Sequence, residues 1–482
     1  MKPESISDNP NRDYSRKWHV MAAVGTGVFL ATIDGSIVNV SLPTLVNSLQ
    51  TEFAVVQWVV LAYLLTVTST MAGIGRLADM VGKKLIYTLG FTIFTVGSAL
   101  CGLSPSVDWL IGFRVLQAIG AAMTMALGAA IVTEAFPPPE RGKAMGVIGT
   151  IVSMGIVLGP ALGGVILELL SWQWIFFVNL PVGIVGIIMV RRNVPNFKPK
   201  GQQQFDLLGA VSLCLSILFL LLGLTFGQQQ GFFKPLIYLL LSLWLILLIF
   251  FIFLENKVAQ PMIDPKLFHS SILRVNLITG FISFVGLGGT IIILPFYLEN
   301  ILEYSSIQVG LLMGVIPIML GVTSPIAGAW SDRVGSRKIT IAGLLLLCIG
   351  FWTASTLDQN TTVLGYILRI FSVGAGIGIF LSPNNSAIMG AAPPQQLGIV
   401  SSMMAQSRTL GQTIGVAVIG AIWAGRTLFH AETMPRGGAT LAPVNAQVAG
   451  LHDAFITAAI LTFIALLLGI QAYFAESRQS KK

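Results

Sequence analysis

Apolar stretches of about 20 residues, the length a helix needs to cross roughly 30 Å of hydrocarbon, recur from one end of the sequence to the other. The pattern predicts fourteen membrane-spanning helices, at 19–42, 53–74, 84–104, 107–133, 143–167, 172–190, 207–226, 235–254, 272–297, 306–327, 338–357, 362–389, 398–424 and 452–473. Short polar connections separate most of them. The longest connection expected on the outer side is 425–451. A polar tail precedes the first span, no small-residue cleavage site follows it, and that span is expected to stay in place. The expected fold class is all-α and integral to a membrane.

Composition agrees with this pattern. The 482 residues are 54% hydrophobic and 10% charged, too little charge to cover a soluble surface of that size. The net charge of +8 is explained by basic loops beside anionic lipid and excludes a nucleic-acid reading. Basic residues favour cytoplasmic loops, and with the N-terminus inside, 22 of the 28 Lys and Arg face the cytoplasm. They fall before the first span, after the second, fourth, sixth, eighth and tenth spans, and at the end of the chain. Lys234, Arg426 and Arg436 would lie outside, and Arg114, Arg369 and Arg408 within spans. Both termini are therefore expected in the cytoplasm of a cell whose cytoplasmic membrane holds the protein.

The chain also repeats itself. Gly75-Arg76-Leu77-Ala78-Asp79-Met80-Val81-Gly82-Lys83-Lys84 returns as Gly328-Ala329-Trp330-Ser331-Asp332-Arg333-Val334-Gly335-Ser336-Arg337-Lys338. An intramembrane arginine follows each copy, Arg114 at 35 residues past Asp79 and Arg369 at 37 past Asp332. Two six-helix halves are implied. The expected divisions are a tail at 1–17, a first bundle at 18–192, a linker with two additional helices at 193–256, a second bundle at 257–475 and a tail at 476–482. Internal repeats of this kind mark secondary transporters, whose site lies between halves that rock against one another.

The doubled loop resembles the signature between the second and third helices of the major facilitator superfamily, a G-x-L-x-D-x-x-G-[RK]-[RK] pattern. Arg114-Val115-Leu116-Gln117-Ala118-Ile119-Gly120 is similar to the fourth-helix motif of that superfamily, with Ala118 where glycine is usual. Gly155-Ile156-Val157-Leu158-Gly159-Pro160-Ala161-Leu162-Gly163-Gly164 matches its antiporter motif. Asp34, Asn39 and Pro43 resemble the first-helix motif of the fourteen-helix drug:proton antiporters, the EmrB/QacA kind. Trp172 to Pro181 and Phe205 to Gly209 are also similar to that group. The resemblance implies a major facilitator fold with two helices inserted between its halves, and proton-coupled export of drugs.

Asp34 is the one charge in its span, and a carboxylate in hydrocarbon usually marks a proton or substrate pathway. Counting 1.5 Å per residue puts Asp34 and Arg114 both roughly 10–12 Å below the outer surface. A proton-coupling role follows: burial favours the neutral acid and a nearby guanidinium favours the carboxylate, so altered pairing alters proton affinity. A static ion pair between two helices is the competing role. The resemblance implies a cytoplasmic latch at Gly75, Asp79, Gly82, Lys83 and Lys84, repeated at Asp332, Arg333, Gly335 and Arg337, with Asp79 meeting basic groups or a helix N-terminus. Gly155, Gly159 and Gly163 recur at i, i+4 and i+8 and give the fifth helix a smooth face. Pro160 removes one backbone hydrogen bond.

Asn39, Trp58, Tyr63, Gln117, Arg369 and Arg408 are candidates for a substrate cavity, although Trp58, near the outer end of its span, is better placed in an interfacial aromatic belt. Three roles stay open for Arg369 and Arg408: anionic substrate groups, backbone carbonyls or water. The tenth span contains no acid, which favours monovalent cations, zwitterions or neutral amphiphiles over dications. Three cysteines and four histidines show no ligand spacing, so no metal and no cofactor are expected. The expected activity is not enzymatic, and with neither an ATP-binding loop nor a soluble domain the energy is expected from an ion gradient. It is export of hydrophobic drugs or toxic amphiphiles in exchange for protons, by alternating access. A second reading is export of an endogenous lipid, siderophore or metabolite. A non-transporting membrane sensor, the third, has no use for Asp34. A periplasmic adaptor protein is not predictable from these residues.

Overall fold

The computed structural model describes residues 14–51, 53–196, 205–231, 234–258, 260–431, 439 and 442–479. Lys2, Arg12, Lys198, Lys200, Arg436, Lys481 and Lys482 of the charge pattern, and most of the N-terminal tail, lie outside the described residues. Among those described, fourteen helices are long and apolar enough to cross a membrane. They are α1 (Lys17–Leu42), α2 (Val55–Val81), α3 (Lys83–Gly102), α4 (Val107–Ala135), α5 (Pro138–Leu169), α6 (Trp174–Asn193), α7 (Leu207–Gly227), α8 (Pro235–Glu255), α9 (Ser271–Ile301), α10 (Gln308–Val334), α11 (Ser336–Ala354), α12 (Val363–Ala391), α13 (Pro394–His430) and α14 (Val444–Phe474). The outer connection expected at 425–451 is shorter, because α13 runs on to His430 and α14 begins at Val444. Polar residues there keep helical hydrogen bonds beyond the hydrocarbon. Residues 432–438, 440 and 441 of that connection lie outside the described residues.

Sharp breaks follow from local chemistry. Gly82 and Gly335 have φ of 110° and 92°, a region that side chains with a Cβ rarely enter, and each ends one helix and starts the next. Asp206 caps α7 by accepting from the Gly209 N–H at 2.8 Å, and Thr362 caps α12 through the Gly365 N–H at 3.2 Å.

Helices α1 to α6 pack into one bundle and α9 to α14 into a second. The halves meet along two seams related by the repeat: α5 lies against α10, and α13, its counterpart, lies against α2. A buried apolar cluster crosses between the halves at the end that carries the Lys83, Lys143 and Lys338 loops, hereafter the basic end; it joins Met71, Ala78 and Ala144 to Met389, Val400 and Met404. At the opposite end a separate cluster of Ile37, Val59, Leu110, Trp172 and Phe176 belongs to the first half alone. Helix α7 packs on α2 and α13, and so covers one seam; α8, with a mean hydropathy of 3.0, packs outside α7. The fold is thus two six-helix bundles with two additional helices placed against one side.

Candidate functional site

Five helices of the first half converge on Asp34, which is 0% exposed. Its Oδ2 accepts from Arg114 Nη1 of α4 at 2.7 Å, and its Oδ1 accepts from Gln117 Nε2 at 2.9 Å and from Asn179 Nδ2 of α6 at 2.8 Å. Arg114 is equally occupied. Its Nε donates to the Val59 carbonyl of α2 at 3.0 Å, Nη1 also reaches Gln117 Oε1 at 2.7 Å, and the guanidinium lies 4.1 Å from the centre of the Tyr63 ring. Ser98 of α3 closes the network by accepting from Gln117 at 2.7 Å and from Asn179 at 3.4 Å. A buried carboxylate is thereby neutralised by one cation and surrounded by amide donors, the arrangement that makes burial of an ion pair tolerable. Any step that moves α4 or α6 relative to α1 changes what faces Asp34.

The glycine face of α5 bears directly on this network. A Cβ at Gly155 or Gly159 would collide with Thr32 or Ser36 of α1, and one at Gly163 would come within 2.9 Å of Ile37. Ser36 uses the close approach to donate to the Gly155 carbonyl at 2.9 Å. Gly164 and Pro160 of the same motif point away: nothing lies within 4 Å of a Cβ at Gly164, and Pro160 is exposed. The packing surface is thus the i, i+4, i+8 stripe, and the other two residues face outward.

At the basic end the doubled loop joins the halves. Asp79 accepts from the Gly398 and Ile399 N–H groups at the start of α13, at 2.7 and 2.8 Å. Asp332 accepts from the Gly142 and Lys143 N–H groups near the start of α5, at 2.8 and 2.9 Å. Each carboxylate therefore satisfies orphan donors of a helix from the other half and sits on the positive end of its dipole. Gly75 makes room for Gly398 and Ser402. Lys83 bridges Asp79 at 3.1 Å and Glu134 at 3.0 Å. Lys84 takes no part in this contact and donates instead to the Arg191 carbonyl of α6 at 2.8 Å. In the second copy, Arg333 is exposed and Arg337 donates to Asn276 of α9 at 3.2 Å. Asp332 has its two amides and no ion-pair partner among the described residues.

The cavity candidates separate. Tyr63 and Gln117 belong to the Asp34 network. Asn39 is exposed and lies apart from it. Trp58 packs on Phe226 of α7 with centroids 5.7 Å apart, so it joins the first bundle to the added helices. Arg369 is held in the first turns of α12 by Thr356 Oγ1 at 2.9 Å and the Gly365 carbonyl at 3.0 Å, away from the space between the halves. Arg408 lies between α9, α12 and α13. Sequence reasoning did not assign Asn179 or Ser98 to the site. Each is a small polar residue in an otherwise apolar segment, and that was the available signal.

Two repeated helical bundles, joined at one end by reciprocal carboxylate caps and carrying a buried acid in one half, define a multi-pass membrane protein whose halves meet along discrete seams. The sequence matches the Major Facilitator Superfamily over residues 24–260 and 277–482, and the chain belongs to that family. It is 34% identical over 458 residues to the riboflavin transporter RibZ of Clostridioides difficile (strain 630), covering 94% of this chain and 97% of that protein. It is 31% identical over 414 residues to the multidrug transporter protein MdtP of Bacillus subtilis (strain 168), covering 86% and 76% respectively. Among solved structures, the human organic anion transporter MFSD10 (TETRAN) superposes with a TM-score of 0.67 at 18% identity, covering 94% of this chain and 99% of that one, a likeness of fold. The protein is a transporter of small molecules, not an enzyme.

Proposed function

We propose that this chain is a proton-coupled exporter of hydrophobic small molecules, of the fourteen-helix drug:proton antiporter kind, working by alternating access. The observation that carries the reading is Asp34, an ionisable group at 0% exposure whose partners come from α4 and α6. Protonation from one side would weaken its hold on Arg114, and a change in helix packing would release the proton on the other. A membrane potential of 100 mV contributes about 2.3 kcal/mol per charge moved. With the basic end in the cytoplasm, as the loop charges favour, both termini are cytoplasmic and the carboxylate caps close that side. This conformation is then the one that opens outward. The halves at 18–192 and 257–475 are the moving bodies.

The test is uptake of a fluorescent amphiphile into inverted vesicles with an imposed pH gradient. Uptake is expected, collapsing with a protonophore and lost in Asp34→Asn. Wild-type uptake in that variant removes Asp34 from coupling. A second reading, export of an endogenous metabolite, is favoured by the end-to-end match to a riboflavin transporter. Riboflavin uptake into the same vesicles decides between them.

A further inference from the structure

The second half holds a cation that is placed quite differently from Arg114. Arg408 lies mid-way along α13 and makes no hydrogen bond or ion pair with any described residue. The described acids of this half, Asp264, Glu299, Glu303, Asp332, Asp358 and Asp453, lie in loops or towards helix ends. Arg408 is partly exposed, and an arginine does not shed its proton as a lysine can, so its charge is kept in this space. A guanidinium serving only to join helices would be expected to have carbonyl or carboxylate acceptors, as Arg114 has in Val59 and Asp34.

Around Arg408 stand Asn276 of α9 and Asn384 and Asn385 of α12, which are 1%, 2% and 6% exposed. Each leaves one amide atom without a hydrogen-bond partner: Asn276 Nδ2, Asn384 Oδ1 and Asn385 Oδ1. Amide oxygens can accept from a guanidinium, but they do not cancel its charge. A half-turn of the amide presents N–H groups instead, and a guanidinium fork with amide donors matches an oxyanion. The void these groups enclose is about 10 Å³, room for about one water-sized group. A carboxylate, sulfonate or phosphate is several times that size, so it enters only where the surrounding helices part and widen the void. Phe284, Leu381, Ile388 and Met404 line the same void and offer apolar surface beside it.

We propose that Arg408, with Asn276, Asn384 and Asn385, binds the anionic terminus of the transported molecule, so that the substrates include amphiphilic organic anions bearing a carboxylate, sulfonate or phosphate. This deepens the transport reading and rests on it. It also reverses the preference for cations and neutral molecules, which was drawn from the missing acid in the tenth span.

A matched pair separates charge from shape: naphthalene-2-sulfonate and the uncharged naphthalene-2-sulfonamide, titrated against the full chain in phosphatidylcholine nanodiscs by calorimetry. The sulfonate should bind at least ten-fold more tightly to the wild type. Arg408→Gln should bring the ratio near one, and Arg408→Lys should keep part of it. Because the readout is a ratio within each variant, it tolerates some loss of stability. Asn384→Leu, which should lower the ratio while leaving the guanidinium in place, serves if Arg408→Gln does not fold. Equal binding of the pair, no binding of the sulfonate up to millimolar concentration, or a preference that survives Arg408→Gln overturns the proposal. Loss of pH-driven uptake in reconstituted vesicles would instead overturn proton-coupled transport, and binding in nanodiscs does not depend on it.

Discussion

Asp34 and Arg114 are satisfied within the chain, whereas Arg408 has no hydrogen-bond or ion-pair partner among the described residues. Removing a partner from a buried pair leaves a charge without compensation, a loss of about 3–5 kcal/mol. Arg114→Ala is expected to destabilise the protein by that order, read as a fall in the thermal midpoint in detergent. Asn179→Ala removes one donor among three and should cost about 1–3 kcal/mol. An equal loss in both would mean that the ion pair has no special weight in this network. The Asp34–Arg114 pairing was legible in the sequence because helical rise converts residue count into depth. Asn179 and Ser98 were not, since which face of a helix meets the acid depends on packing that a single apolar span does not encode. Arg408 was visible as a charge, but its lack of partners was not.

Among elements, α5 carries two packing surfaces in succession. Gly142, Gly146 and Gly149 lie against α10 of the other half, and Gly155, Gly159 and Gly163 against α1. The sequence pointed to the second stripe, which follows a strict four-residue spacing. It missed the first, because only the tertiary structure shows that the same helix crosses from a seam into its own bundle. Gly159→Val is expected to push Ser36 aside and cost about 1–3 kcal/mol through overpacking, measured by thermal unfolding. The analogous change at Gly164, with nothing within 4 Å, should leave the midpoint close to wild type. The caps at the basic end make a second prediction at this scale. Asp79→Asn replaces the carboxylate that accepts from Gly398 and Ile399 and should loosen the α2–α13 seam. In a background lacking Cys101, Cys214 and Cys348, a cysteine at the buried Ser402 should then react faster with a membrane-impermeant maleimide. An unchanged rate would mean that apolar packing alone holds this seam.

Across the whole molecule, the repeat sets the two seams on equal terms and other features make them unequal. Asp79 has Lys83 and Glu134 beside it, whereas Asp332 relies on two amides. Helix α7 covers the α2–α13 seam, and no added helix packs in the same way on α5 and α10. The fourteen-helix count and the halves were readable from hydropathy and the doubled loop. The placement of α7 was not, because an apolar helix that buries only 39% of its most apolar stretch fits many positions on the perimeter. A cysteine replacing Ser331 at the α5–α10 seam is expected to be labelled faster than one replacing Ser402, and equal rates would make the seams equivalent. Against these, α5 and α10 pack more extensively than α2 and α13, and Thr150 and Ser382 add hydrogen bonds between the halves to the Gly321 and Gly142 carbonyls. The two seams thus differ in cover rather than in strength: the added helices screen one from the bilayer and leave the other bare, so the α5–α10 edge is the one open to molecules dissolved in the bilayer.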